Sequence, residues 1–293
     1  MKRFRQFVAI DWSGAVGERH KGIVVAACSS EGPPTLPEPP GRGWSRHDVL
    51  DFLTSGLSGD TLVGLDLGIA LPFADQGAYF PGWEESPPDA PSLWAMIDHL
   101  SQGDEHLAAT SFVDHPRASD YFRRHGGREG ENFAPPGLSG GRGRFRITEE
   151  EQARMGCKPY SNFNLVGAAQ VGKSSLTGMR MLHRLRGTIP VWPVDPLPAS
   201  GPVLVEIYTT LAAIAAGRTA SRAKMRSFEA MNEALETLGS PPVAGEGPID
   251  DHTSDAMVTA AWLRTIANRS ELWSPNAMTP AIARTEGWTF GVP

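Results

Sequence analysis

The chain has 293 residues, of which 40% are hydrophobic and 20% charged, the composition of a soluble globular enzyme with one large domain or two modest ones. A net charge of −6 excludes wholesale electrostatic adhesion to nucleic acid or anionic membrane, while leaving room for a local basic patch. The two cysteines, Cys28 and Cys157, lack C-x-x-C spacing and imply neither a disulfide framework nor a zinc site. The opening "MKRFRQFVAIDWSG" has only a four-residue apolar run before Asp11, too short for a signal peptide. Nothing approaches membrane-spanning length, so the expectation is a reduced, cytoplasmic protein with no membrane partner.

"QFVAIDWSG" (6–14) reads as a buried strand entering a turn, and "KGIVVAACS" (21–29) as a second strand, antiparallel to the first if a hairpin joins them. After the proline-rich connector 33–43, the apolar spacing of Val49, Leu50, Leu53 and Leu57 predicts a helix over 45–57 with Ser45 as its cap. "TLVGLDLGIALPF" (61–73) is another buried strand. Between about 75 and 160 the pattern loosens into an inserted lobe or long loops, with two helices expected at 91–102 and 114–125. A helix over 175–187, a strand over 201–210 and helices over 221–239 and 250–268 follow. "EGWTFGVP" closes the chain as a last strand or docking tail. Strands alternating with helices after an initial hairpin predict one α/β domain over 1–293 with a mixed sheet and a loop-rich insertion.

Three apolar strands each carry one carboxylate: Asp11, Asp66 and Glu206. A lone buried charge is costly unless paired, and acids gathered at one sheet edge would raise one another's pKa unless a divalent cation neutralised them. His252 and Asp255 lie three residues apart, on one face of the last long helix, in a largely apolar stretch. Asp250 and Asp251 stand at its start, where acids also serve as caps.

In that order, "FVAIDWSG", "LVGLDLGIALP", "VLVEIYT" and "DDHTSDAMVTAA" resemble the domain-of-unknown-function 429 family of predicted nucleases. The H-x-x-D-A pattern of the last segment is similar to the final helix of RuvC-like resolvases. "VGKSSLTGMRML" and "EGWTFGVP" fit the family as well, so the resemblance covers most of the chain outside about 75–140. It implies an RNase H-like fold in which Asp11, Asp66 and Asp255 form a metal cluster, Glu206 matches the family's strand acid, and His252 or Asp251 supports them. Thr209 and Gly68 depart from it, each standing where the family often has proline. The chemistry expected of such a cluster is phosphodiester cleavage with two Mg²⁺ or Mn²⁺ ions about 3.5–4 Å apart. No G-x-S-x-G nucleophile elbow competes with it.

Residues 117–146 hold seven arginines against three acids, and "GGRGRFR" interleaves Arg142, Arg144 and Arg146 with glycine and Phe145. That pattern suits backbone tracking and base stacking on a nucleic acid. "GAAQVGKSS" (167–175) matches the phosphate-loop pattern through Gly167, Gly172, Lys173 and Ser174. Its lead-in "YSNFNLV" has asparagines where a buried parallel strand is required, which favours a plain loop entering a helix. The functional expectation is a metal-dependent nuclease. A P-loop or actin-like ATPase, using Lys173 or the "DWSG" turn, and an inactive nucleic-acid-binding module are the alternatives.

Overall fold

The computed structural model describes residues 3–137, 141–167, 170–221 and 223–293. Ala168 and Ala169 of the phosphate-loop stretch, and Arg222 of the helix expected over 221–239, lie outside these residues. The centre is a five-stranded sheet of β1 (Gln6–Asp11), β2 (Val24–Ser29), β3 (Thr61–Asp66), β4 (Val191–Trp192) and β5 (Val203–Glu206), in the order β2-β1-β3-β5-β4. β2 runs antiparallel to β1; every other neighbouring pair is parallel. The mixed α/β sheet therefore stands as expected, with β1–β2 as the hairpin.

The helices are α1 (Arg46–Asp51), α2 (Ala90–Leu100), α3 (Thr110–Asp114), α4 (Ile147–Arg154), α5 (Val171–Leu185), α6 (Thr209–Ala215), α7 (Phe228–Thr237), α8 (Asp251–Ile266) and α9 (Pro280–Thr285). Ser45 caps α1 by accepting from the Asp48 amide, and the Asp48 carboxylate returns the bond to the Ser45 amide, a complete capping box. The helix expected over 114–125 does not form. Pro116 cannot continue a helix and forces His115 out of helical geometry, so α3 stops at Asp114 and only a 3₁₀ turn, Ala118–Tyr121, follows. The strand expected over 201–210 ends at Glu206, because the alanine-rich α6 takes over at Thr209.

The two faces of the sheet bury different clusters. Val8, Ile10, Val63, Leu65 and Leu204 point to one, shared with α2, α5, Phe163 and the aromatic residues Tyr79, Phe80, Phe112 and Phe122 of the stretch 75–160. The insertion thus packs into the same core as the sheet. Phe7, Ala9, Leu62, Val203 and Val205 point to the other face, covered by α6, α7 and α8. The tail docks there: Trp288, Phe290 and Val292 are fully buried, and the Phe290 amide donates to the Glu206 carbonyl at 2.8 Å. Among the described residues, no helix is long and apolar enough to cross a membrane.

Candidate active-site cleft

Side chains alternate along a strand, so Asp11 points the same way as Phe7 and Ala9, and Asp66 the same way as Leu62. Both acids therefore face α8, at the C-terminal ends of adjacent parallel strands, and the register pairs them directly. α8 is buried almost all round, from Ser254 to Leu263, and carries Asp255 inward at 6% exposure. Asp250 is the helix cap, accepting from the Thr253 amide at 3.0 Å, while Asp251 pairs with Arg226 on the rim at 3.1 Å. Of the acids at the head of this helix, only Asp255 turns toward the strands.

Each of the three carboxylates has a different partner. His252 Nδ1 lies 3.0 Å from Asp11 Oδ2; since a carboxylate only accepts, Nδ1 carries the proton. The Lys224 ammonium donates to Asp255 Oδ2 at 2.5 Å. Asp66 accepts from the Thr209 backbone amide and, at 3.4 Å, from the Thr209 hydroxyl, two contacts that a proline at that position could not make. Burial, with the Asp11 and Asp255 charges adding to it, holds the Asp66 carboxyl well above the ordinary carboxylate range. Burial raises Asp255 too, against the opposing pull of Lys224. The hydrogen bond to Asp11 raises His252 and favours imidazolium. Burial works against the Lys224 charge, yet the neighbouring Asp255 outweighs it and keeps the ammonium protonated.

Glu206 departs from the expected cluster. Val203 and Val205 face α8, so alternation sends Glu206 to the opposite face, level with Leu65 rather than with Asp66. There both its oxygens are taken. Arg146 donates through two nitrogens at 2.7 and 2.6 Å, the Ile69 amide at 2.8 Å and the Thr289 hydroxyl at 2.5 Å. Arg146 also binds Glu149, so one buried guanidinium serves two buried carboxylates. Burial pushes Glu149 up to about 7 despite Arg146. A carboxyl raised this way stabilises the fold below its ordinary pKa, and that contribution is lost as pH rises through the folded value. Between about pH 4.5 and 7 stability should therefore fall by up to about 3 kcal/mol from this residue. Urea titrations across that interval should show the slope flattened in Glu149→Gln; an unchanged slope would locate the proton elsewhere.

The three arginines expected to track a nucleic-acid backbone are not presented together. Arg144 is fully buried and spends its guanidinium on Asp75 and on the carbonyls of Pro72, Ala78 and Tyr79. Arg146 is equally buried. Arg142 alone is exposed, lying over the rings of Phe145 and Tyr160. Their glycine-rich spacing suited a nucleic-acid contact, but a guanidinium has five donors and can anchor irregular backbone in a core when enough carbonyls converge on it.

Of the three acids, Asp66 lines a cleft of about 490 Å³, together with Ser13, Gly14, Tyr160, Lys173, Ser174, Glu206, Tyr208 and His252 among others. A Cβ on Gly14 would stand 2.3 Å from the Lys173 carbonyl carbon, so the turn after β1 lies directly on the first turn of α5 and brings Lys173 to the cleft. A Cβ on Gly68 would stand 2.3 Å from Asn162 Nδ2, so the close approach of Asn162 requires glycine there. The phosphate-loop pattern has its helix but lacks its strand: residues 158–166 make only an isolated bridge at Asn164. The Gly172 amide donates to the Asn164 carbonyl and the Lys173 amide to the Gln170 carbonyl, both at 3.0 Å. Amides that a phosphate loop aims at its ligand are thus spent within the chain.

Lys224 and Tyr160 escape sequence reasoning. Lys224 sits in an aperiodic connector, "SRAKMRS", and Tyr160 in an irregular stretch, where nothing marks which side chain will face a site. Comparisons with protein-family models, with curated proteins and with solved structures give no match.

Proposed function

We propose that this cleft hydrolyses phosphodiester bonds of nucleic acid with a divalent cation, Mg²⁺ or Mn²⁺, held by Asp11, Asp66 and Asp255. One observation carries the reading: two carboxylates at paired positions on adjacent parallel strands are faced by a third from the helix that covers them. All the donors are hard oxygens, the set these cations take. Among the described residues, no three His, Cys, Asp or Glu side chains stand close enough to hold an ion as they are placed. Lys224 and His252 each occupy one carboxylate instead. Both are half-exposed, at 53% and 49%, and side chains on such a rim change rotamer quickly enough to yield to an ion.

Charge favours one cation. Three carboxylates less the Lys224 ammonium and the His252 imidazolium leave one negative charge, and Glu206, the remaining strand acid, is committed to Arg146. When bound, the cation would polarise the scissile phosphate and acidify a bound water. Once the ion displaces it from Asp11, His252 would stand on the rim of the same cleft as Asp66, in place to pass a proton to a leaving oxygen, and Thr209 orients Asp66. An RNase H-like assignment is supported by the antiparallel hairpin, by β3 flanking β1 in parallel, and by the last long helix packing over both acids.

The test is a cleavage assay with Mn²⁺ on single-stranded, duplex and branched DNA and on RNA; cleavage of none by folded, metal-loaded protein would leave a binding module. Metal binding has its own readout. Mn²⁺ at a concentration about 100-fold above its Kd should raise the melting temperature by about 5 °C or more. Scanning fluorimetry should find the shift larger in Lys224→Met and absent in Asp11→Asn. A wild type indifferent to Mn²⁺ would rule the cation out.

A further inference from the structure

We propose that the cleft selects an unpaired nucleotide of a single strand, stacking its base on Tyr160 and directing its phosphate toward Lys173. The inference rests on the phosphodiester reading of the same cleft. Tyr160 is 47% exposed, an unusual state for a large ring, and it lines the cleft together with Asp66 and Lys173. The Arg142 guanidinium lies over the ring, 5.6 Å from its centroid, and donates to the Pro159 carbonyl next to it, which pins the ring while 47% of the residue stays exposed. An aromatic face pinned at the mouth of a polar cleft is the platform on which unpaired bases stack, whatever their identity.

Charge and size separate a single strand from a duplex. Among the described residues lining the cleft, Lys173 is the one lysine or arginine without a carboxylate partner, since Arg146 is spent on Glu149 and Glu206. A duplex binder needs a track of cations that neutralises many phosphates, and burial of Arg144 and Arg146 removes the track the sequence suggested. The volume, about 490 Å³, falls in the range of roughly 300–1,000 Å³ typical of pockets for one small ligand. One nucleotide held by stacking and one ion pair suits such a site.

Fluorescence anisotropy with Asp66→Asn protein, which prevents cleavage during the measurement, tests this on four probes of equal length. These are labelled oligodeoxythymidylate, oligouridylate, a thymidylate–adenylate duplex and an abasic deoxyribose-phosphate strand. A single strand should bind about 10-fold more tightly than the abasic strand or the duplex. Tyr160→Ala should erase that preference and Tyr160→Phe keep it. Lys173→Ala should weaken all probes alike and lower the salt slope by about one. The two single strands identify the sugar, and a Tyr160-dependent preference on either supports the proposal. Equal affinity for duplex, indifference to Tyr160→Ala, or no binding to any probe would overturn it. Tyr160-dependent binding without cleavage by the wild type would refute the hydrolase and leave the stacking site; cleavage without Tyr160 dependence would do the reverse.

Discussion

Asp66→Asn should reduce Mn²⁺-dependent cleavage by about 10³-fold or more while raising the melting temperature of the metal-free protein. Both effects have one cause. Asp66 is held at the desolvated end of β3 beside the Asp11 and Asp255 charges, with only the Thr209 amide and its weak hydroxyl contact in return. Its carboxyl takes up protons more readily in the folded chain than in the unfolded one. The stability it contributes is therefore complete below the ordinary carboxylate range and is lost as pH rises through the raised value. At about pH 8 the asparagine escapes that cost, whereas near pH 4 the two proteins should converge. Cleavage assays beside melting curves at the two pH values check this. A variant that loses activity and stability together at high pH would show Asp66 to be a structural residue.

Arg146→Met should cost about 3–5 kcal/mol, a fall in melting temperature on the order of 10 °C. The guanidinium is buried and gives hydrogen bonds to Glu206, to Glu149 and to the Glu286 carbonyl. Its removal strands two carboxylates in the core, which must then protonate or draw in water. Replacing all three residues, as Arg146→Met with Glu149→Leu and Glu206→Leu, should recover part of the loss, because no charge is then left uncompensated. Recovery cannot be complete, since the Ile69 amide and the Thr289 hydroxyl lose their acceptor as well. Thermal denaturation of the single and triple variants measures the difference. A single variant as stable as the wild type would mean that Glu149 and Glu206 already share protons without the arginine.

Much of the fold was legible in the sequence because it depends on short-range physics. The hairpin, β3, α2, α5 and α8 follow from apolar periodicity and from caps such as Ser45 and Asp250, which act within a few residues. The helix expected over 114–125 was a misreading of a visible signal, since Pro116 is there to be read. β4, with two residues, and α6, beginning three residues after β5 ends, are too short or too close to a stronger element to leave a pattern of their own.

By itself, then, the sequence determined that Asp11, Asp66 and Glu206 would each stand in a buried strand and that Asp255 would belong to a largely buried helix face. Only the tertiary structure decided which of them meet. Side chains alternate with a period of two residues, so the face a strand acid occupies depends on which neighbours bury that strand. That outcome places Asp11 and Asp66 beneath α8 and turns Glu206 to the other side. The arginines follow the same logic at longer range. The spacing of Arg142, Arg144 and Arg146 was plain, but burial depends on the carbonyls and carboxylates of Asp75, Tyr79, Glu149 and Glu206, up to 69 positions away for Asp75. Local pattern sets the elements; long-range pairing of buried charge sets the site.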